Sequence, residues 1–187
     1  SENIAPEVSE TNTVRPVIMV EAMAHDRESP FPRDVSGDAV DPPRGLVPAR
    51  TAMSGRYVEL APLDADRHAA ELYAASHGGS PDRSVWRYLV DGPYPDLPTY
   101  RDALRRQTSD LGRIYFALCP TPGAGAEGQA SYTNIHAEQG TIEMGHIWFS
   151  PDLQRTRAAT EAMYLMLHHA FDDLGYRRVQ WRCNAQN

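Results

Sequence analysis

Ile147-Trp148-Phe149-Ser150-Pro151-Asp152-Leu153-Gln154-Arg155-Thr156-Arg157-Ala158-Ala159-Thr160-Glu161-Ala162 is the stretch on which the fold turns. An apolar strand stops at Ser150-Pro151, because proline has no N–H to give a ladder. A short polar loop follows and rises directly into a helix whose first turn carries small residues. Ala159, Met163, Met166, Leu167, Ala170 and Leu174 recur at helical spacing, so the helix is expected from about Arg157 to Leu174. Gly175 stands where a left-handed cap is needed. Val179, Trp181 and Cys183 then alternate as a last strand. A helix of this length between two strands is a right-handed crossover, so those strands are parallel.

Upstream, Gln129 to Ile135 and Thr141 to Phe149 form a hairpin that turns at Gln139-Gly140. Arg113 to Cys119 is a further strand, joined to the hairpin by a Gly/Pro loop. Asp96 and Pro98 open a helix with Tyr100, Ala103 and Leu104 on one face. Before it, Trp86, Tyr88, Leu89 and Val90 make a short apolar turn ended by Gly92-Pro93. Asp64 caps another helix, expected to about Ser76, with Leu72 and Tyr73 inward and a break at His77-Gly78-Gly79-Ser80-Pro81. Tyr57 to Leu60 is a first strand, ended by Pro62. The expected class is α/β (α+β): a mixed, mostly antiparallel sheet with a central parallel pair.

Composition limits what such a chain does. Its 187 residues allow one domain. The formal charge is −7, and all 18 basic residues are arginine. That balance argues against a nucleic-acid binder, though not against a local arginine site for phosphate. The mean hydropathy of −0.52 and the 15 prolines place part of the chain outside any core. Residues 1–50 hold Pro6, Pro16, Pro30, Pro32, Pro42, Pro43 and Pro48 and are acidic. They are expected to be a mobile arm, with one short ordered piece at Val17 to Ala24, and 51–187 to be the domain. Cys119 and Cys183 make no disulfide framework and are expected to be buried free thiols. No run of 18 apolar residues and no secretory leader is visible, so a cytoplasmic protein without a membrane span is expected.

The loop after Phe149 carries the clearest chemistry. Free N–H groups at a helix start favour anions, and small side chains allow close approach. Arg155 and Arg157 add charge of the same sign. Either this loop binds a pyrophosphate or it is an arginine-rich loop in water.

These residues resemble the GNAT superfamily of acetyl-CoA-dependent N-acetyltransferases, and within it the RimJ/RimL-type branch. The superfamily's pyrophosphate loop has the form Gln/Arg-x-x-Gly-x-Gly/Ala. Gln154-Arg155-Thr156-Arg157-Ala158-Ala159 matches its first and last positions, with Arg157 in place of the central glycine. Glu143-Met144-Gly145-His146-Ile147-Trp148-Phe149 is similar to the branch's Glu-Ile-Gly-x-x-Trp strand. Thr160-Glu161-Ala162, His169-Ala170-Phe171 and Leu174-Gly175-Tyr176-Arg177-Arg178 extend the likeness. Gly55-Arg56-Tyr57-Val58 and Trp86-Arg87-Tyr88-Leu89 begin it, so it covers about residues 54–187.

The resemblance implies acetyl-CoA as cosubstrate, no metal, and a primary amine as acceptor, on a protein N-terminus or a small molecule. Backbone groups of Ile147, Trp148 and Phe149 would meet the pantetheine arm and the oxyanion. The strands holding Thr141–Phe149 and Val179–Cys183 would splay around the thioester. Gln154, Arg155, Thr156, Arg157, Ala158 and Ala159 would hold the pyrophosphate, with Arg157 touching phosphate directly, and Asn187 would also belong to the cofactor site. Glu143 is a candidate base, or else a structural carboxylate. His146 is the other candidate, or else a packed histidine. Trp86, Tyr88 and Tyr94 would line the acceptor pocket, or else belong to the core. Members of the family continue with a further helix and strand pair, so a truncated sheet with an exposed edge at Val179–Cys183 is expected. Such an edge invites a second copy or a strand-completing partner. A catalytically impaired acyl-CoA-binding module and an interaction protein remain the alternatives.

Overall fold

The computed structural model describes residues 44–78, 84–120 and 125–186. The expectations for the acidic arm and its ordered piece fall on residues 1–43, and that for Asn187 on the last residue. All of these lie outside the described residues. Residues 44–50, placed in the arm by composition, instead bond to the domain. Gly45 N–H donates to Ala137 O at 2.8 Å and Leu46 N–H to Leu174 O at 2.8 Å. The Arg50 guanidinium donates to the carbonyls of Thr108 and Asp110.

The strands are β1 (Met53–Ser54), β2 (Glu59–Pro62), β3 (Ile114–Cys119), β4 (Gly128–His136), β5 (Thr141–Phe149) and β6 (Arg178–Trp181). The helices are α1 (Ala65–His77), α2 (Leu97–Ser109) and α3 (Arg157–His168). The strands form one sheet in sequence order, antiparallel except for the parallel pair of β5 and β6. The mixed class and the crossover are therefore as expected.

Caps fix the helix starts. Asp64 accepts from the N–H groups of Asp66 and Arg67, Asp96 from Thr99, and Thr156 from Ala159. The first strand differs from expectation. A two-residue β1, which was not expected, precedes it, and β2 starts only at Glu59, with Pro62 ending it opposite Phe116 instead of lying beyond it. The final helix is α only to His168 and then widens into a π turn over His169–Asp173, where Leu174 N–H reaches back to His169 O at 3.0 Å. Gly175 follows at φ 73°, as the cap requires. Leu167, expected in the apolar stripe, is exposed, because Met166 and Ala170 take the buried line. The apolar turn buries Trp86 but leaves Val90 in water. β6 stops at Trp181, so Cys183 is an exposed thiol, while Cys119 is half-buried.

Side chains alternate across the sheet and divide the core in two. Ile114, Phe116 and Leu118 of β3 pack with Ala158, Ala162, Met166 and Ala170 of α3 and its π turn. Tyr115 and Ala117 pack with Ala69 and Leu72 of α1 and Tyr100 and Leu104 of α2. No described helix is long and apolar enough to cross a membrane.

Candidate active site

β5 changes character halfway along. Thr141 to Met144 pair on one side with β4 and on the other with β6, ending at Met144 opposite Trp181. Beyond Met144 no described strand pairs with β5 on the β6 side. At this point a bulge occurs. Gln129 lies opposite Trp148 and Ser131 opposite Gly145, so β5 carries one residue more than β4 over the interval. His146 absorbs the distortion at φ 50°. The bulge also swaps faces. Ile142 and Met144 face the α3 core, whereas Trp148 belongs to the core of α1 and α2, and Ile147 and Phe149 pack on the α3 side.

The main chain beyond the bulge has a definite phase. Ser150 N–H donates to Glu127 O at 2.8 Å. By alternation, Trp148 also turns its peptide groups to β4, and Phe149 turns its own away from β4. Gln154 Nε2 does reach Phe149 O at 3.2 Å from the other side. Of these two expected backbone sites, Phe149 thus faces the open side and Trp148 does not.

The loop into α3 is tightly made. Ser150 O accepts from the N–H groups of Leu153 and Gln154, and Arg155 adopts φ 62°. Thr156 caps Ala159 at 3.1 Å. The N–H groups of Arg155, Arg157 and Ala158 have no protein acceptor among the described residues. Ala158 and Ala159 turn their side chains into the core. The Arg157 guanidinium lies over the Tyr57 ring, 5.8 Å from its centroid, and meets the Tyr57 hydroxyl at 3.4 Å. Tyr57, Arg155, Thr156, Arg157, Thr160 and Tyr164 line a shallow groove there.

One carboxylate anchors this corner. Glu161 accepts from the backbone N–H groups of Arg56 (2.9 Å), Tyr57 (2.6 Å) and Val58 (3.1 Å). Partial burial pushes its pKa up, but those bonds outweigh it and hold the carboxyl below its ordinary range. Gly55 is required beside it, since a Cβ there would lie 2.4 Å from the carboxyl. Two sequence fragments 100 residues apart, Gly55–Val58 and Thr160–Ala162, are thus one structural joint.

On the other face a narrow cavity of about 30 Å³ lies beside the bulge. Trp86, Tyr94, Tyr100, Gln107, Gln129, His146 and Trp148 line it, with Asp91 at its edge. Trp86, Tyr94 and His146, separated in sequence, all line it. Tyr88 does not; its hydroxyl donates to Gln186 O at 2.7 Å. Tyr100, Gln107 and Gln129 were not expected in the site. Gln129 and Ser131, polar residues in the half of the strand that is fully buried, were the one available signal.

The two candidate bases have opposite environments. Both oxygens of Glu143 are occupied: Arg182 Nε lies at 3.0 Å from each, and Arg182 Nη2 (2.7 Å) and Asn134 Nδ2 (2.8 Å) also donate to Oε2. The Arg182 guanidinium, outweighing the cost of burial, holds the Glu143 carboxyl below its usual value. Its arrangement is that of a structural carboxylate. His146 is half-buried, and burial, then Arg113, lowers its pKa. Its Nδ1 lies 3.2 Å from Ser131 Oγ, whose own proton goes to Gly145 O at 2.9 Å. That arrangement assigns the proton to Nδ1 and leaves the Nε2 lone pair free to accept. Among the described residues, no cluster of His, Cys, Asp and Glu has the form of a metal site.

The family model for an acetyltransferase (GNAT) domain matches residues 58–187. A GCN5-related N-acetyltransferase from Brucella melitensis is 32% identical, with a TM-score of 0.72, over 77% of this chain and 65% of its own. A probable GNAT-family acetyltransferase from Chromobacterium violaceum is 31% identical, with a TM-score of 0.70, over 100% of this chain and 78% of its own. The spermidine N-acetyltransferase of Vibrio cholerae, solved with CoA and spermine, shares the fold at 14% identity, with a TM-score of 0.56, over 71% of this chain and 75% of its own. No curated protein matches significantly.

Proposed function

The chain belongs to the GNAT acetyltransferase family, and from that premise we propose that it transfers an acetyl group from acetyl-CoA to a primary amine, with His146 as the proton acceptor. One observation carries this reading: at the bulge, β5 loses its β6 partner while His146 turns into the cavity.

The residues present fit the cosubstrate. Phe149 offers its N–H on the open side of β5, where its carbonyl already accepts from Gln154. The N–H groups of Arg155, Arg157 and Ala158 suit a pyrophosphate, and the positive end of α3 favours one. Gln154, Thr156 and Ala159 shape that loop. Arg157 acts first through the Tyr57 ring, which makes it a wall of the groove. When bound, acetyl-CoA supplies the acyl group in activated form, as a thioester.

The remaining requirement is proton removal, because an ammonium has no lone pair with which to attack. His146 is kept neutral by burial, and Ser131 fixes its ring. Its Nε2 takes the proton from an amine that enters the cavity. Glu143 is saturated by Arg182 and Asn134 and keeps the paired half of β5 in register. The acceptor is reached past Trp86 and Tyr94, which shield the site from water.

Calorimetric titration with acetyl-CoA, followed by acetyl transfer to a panel of amines, tests this reading. Binding and turnover are expected. Absence of binding at millimolar acetyl-CoA would overturn it, and binding without transfer to any amine would leave an acyl-CoA-binding module.

A further inference from the structure

Trp86 and Tyr94 line the cavity beside the bulge and pack edge to face, 5.5 Å between ring centroids. Both come from the chain between α1 and α2, where no sheet ladder sets a side chain. Among the described residues, the main chain of residues 90–95 makes two hydrogen bonds, and both go to side chains at the end of α1. Tyr94 N–H donates to His77 Nε2 at 3.0 Å, and Pro95 O accepts from the Tyr73 hydroxyl at 3.3 Å. Trp86 Nε1 donates to Ser76 O at 3.2 Å. The C-terminal end of one helix therefore sets both aromatic walls.

His77 is the centre of that arrangement, and its tautomer is fixed by its neighbours. Its Nδ1 lies 2.9 Å from Ser76 Oγ and 3.3 Å from Tyr73 O. Ser76 gives its own proton to Leu72 O at 2.7 Å. Both neighbours of Nδ1 are therefore acceptors, and Nδ1 carries the proton. Nε2 keeps the lone pair that Tyr94 N–H requires. The ring stacks on Tyr73, 4.2 Å between centroids at 16°, and lies 5.1 Å from Trp86. A phenylalanine would fill the same space but would leave Tyr94 N–H without its acceptor. His77 stands behind Trp86 and Tyr94 and acts on the cavity through them.

We propose that His77 is a positioning residue for the acceptor site: its bond to Tyr94 N–H holds the Tyr94 wall against Trp86 and keeps water from the cavity. Its meaning for turnover rests on the acetyltransferase reading, whereas the wall itself is tested without turnover. Loss of the bond frees residues 90–95 at Tyr94, and an amine entering past a loose wall is held less well for attack.

Nitrogen-15 NMR of the unmodified protein is the first test. His77 is expected as the Nδ1–H tautomer, with a coupling across the hydrogen bond from the Tyr94 amide nitrogen to Nε2. The Nε2–H tautomer would overturn the proposal. His77→Gln and His77→Asn are the second test. The Gln side-chain oxygen reaches to where Nε2 stands and accepts from Tyr94, whereas Asn is long enough only for the place of Nδ1. Both variants lose the ring and are expected to melt lower than wild type. Acrylamide quenching of tryptophan fluorescence reads the wall, because Trp86 and Trp148 are buried there while Trp181 is exposed in every variant. Quenching is expected to rise in His77→Asn and to stay near wild type in His77→Gln. With acetyl-CoA and no amine, thioester hydrolysis is expected to rise about tenfold in His77→Asn. For the amine that wild type acetylates fastest, KM in His77→Asn is expected to rise about tenfold, with kcat and acetyl-CoA affinity within about threefold. His77→Gln is expected to restore both hydrolysis and KM. Equal behaviour of the two variants in quenching and KM overturns the proposal. If wild type acetylates no amine but the tautomer and the quenching contrast are as expected, the transferase reading fails and the His77 wall stands. If transfer proceeds and the two variants behave alike, the transferase reading stands and the role of His77 fails.

Discussion

The two halves of β5 are built from one continuous run, yet they serve opposite ends. In Thr141–Met144 the strand is paired on both edges, and its polar residue, Glu143, is bonded at both oxygens. In Gly145–Phe149 no described strand pairs along one edge, and the chain bulges at His146, whose Nε2 retains a lone pair. A group with every bond satisfied has nothing left to give a substrate. On the proposed reading, unspent bonding capacity rather than residue type separates the structural half from the chemical half.

Several substitutions break or sharpen this contrast. The largest effect is expected from His146→Ala, which removes the proposed proton acceptor and should lower kcat by about 10²–10⁴-fold, read in steady-state assays at saturating acetyl-CoA. Next is the joint that holds the open half's helix. Glu161→Ala leaves three backbone N–H groups of Arg56, Tyr57 and Val58 without their acceptor. A loss of about 1–3 kcal/mol is expected in urea denaturation, together with weaker acetyl-CoA binding, because α3 carries the loop. Glu143→Gln affects the paired half, with a loss of about 1–2 kcal/mol, limited by the exposure of Arg182.

The pH dependence separates the two halves further. The folded Glu143 carboxyl titrates below its unfolded value near 4.5. Its contribution is therefore present above that pH and lost as pH falls through the folded value. Acid unfolding of Glu143→Gln should lack this component. His146 titrates below 6.5 when folded, so it favours unfolding as pH drops below 6.5. The acid limb of kcat/KM is expected below pH 6.5 and should disappear with His146. The smallest effect is expected from Arg157→Ala. With its guanidinium over Tyr57, it should cost acetyl-CoA affinity only a few-fold, measured by calorimetry.

Much of the fold was legible because its signals are local. Asp64, Asp96, Pro151 and Gly175 punctuate the chain, and the apolar period of α3 is strong. The bulge was not legible. Regular alternation puts His146 and Trp148 on the face of Ile142 and Met144, and only one inserted residue moves them to the cavity. Glu143 looked available in sequence because Arg182 and Asn134, which saturate it, come from other strands or beyond their ends. Gly55 and Glu161 were each visible, but their meeting depends on how α3 packs against the loop before β2.

The central claim is that chemistry resides in the open half of β5 and not in the paired half. Single-turnover acetyl transfer by Glu143→Gln, at a pH and temperature where it is folded, tests this most directly. The rate should stay within about threefold of wild type, set against the 10²–10⁴-fold loss in His146→Ala. A native-like Glu143→Gln protein that loses as much rate as His146→Ala would contradict it.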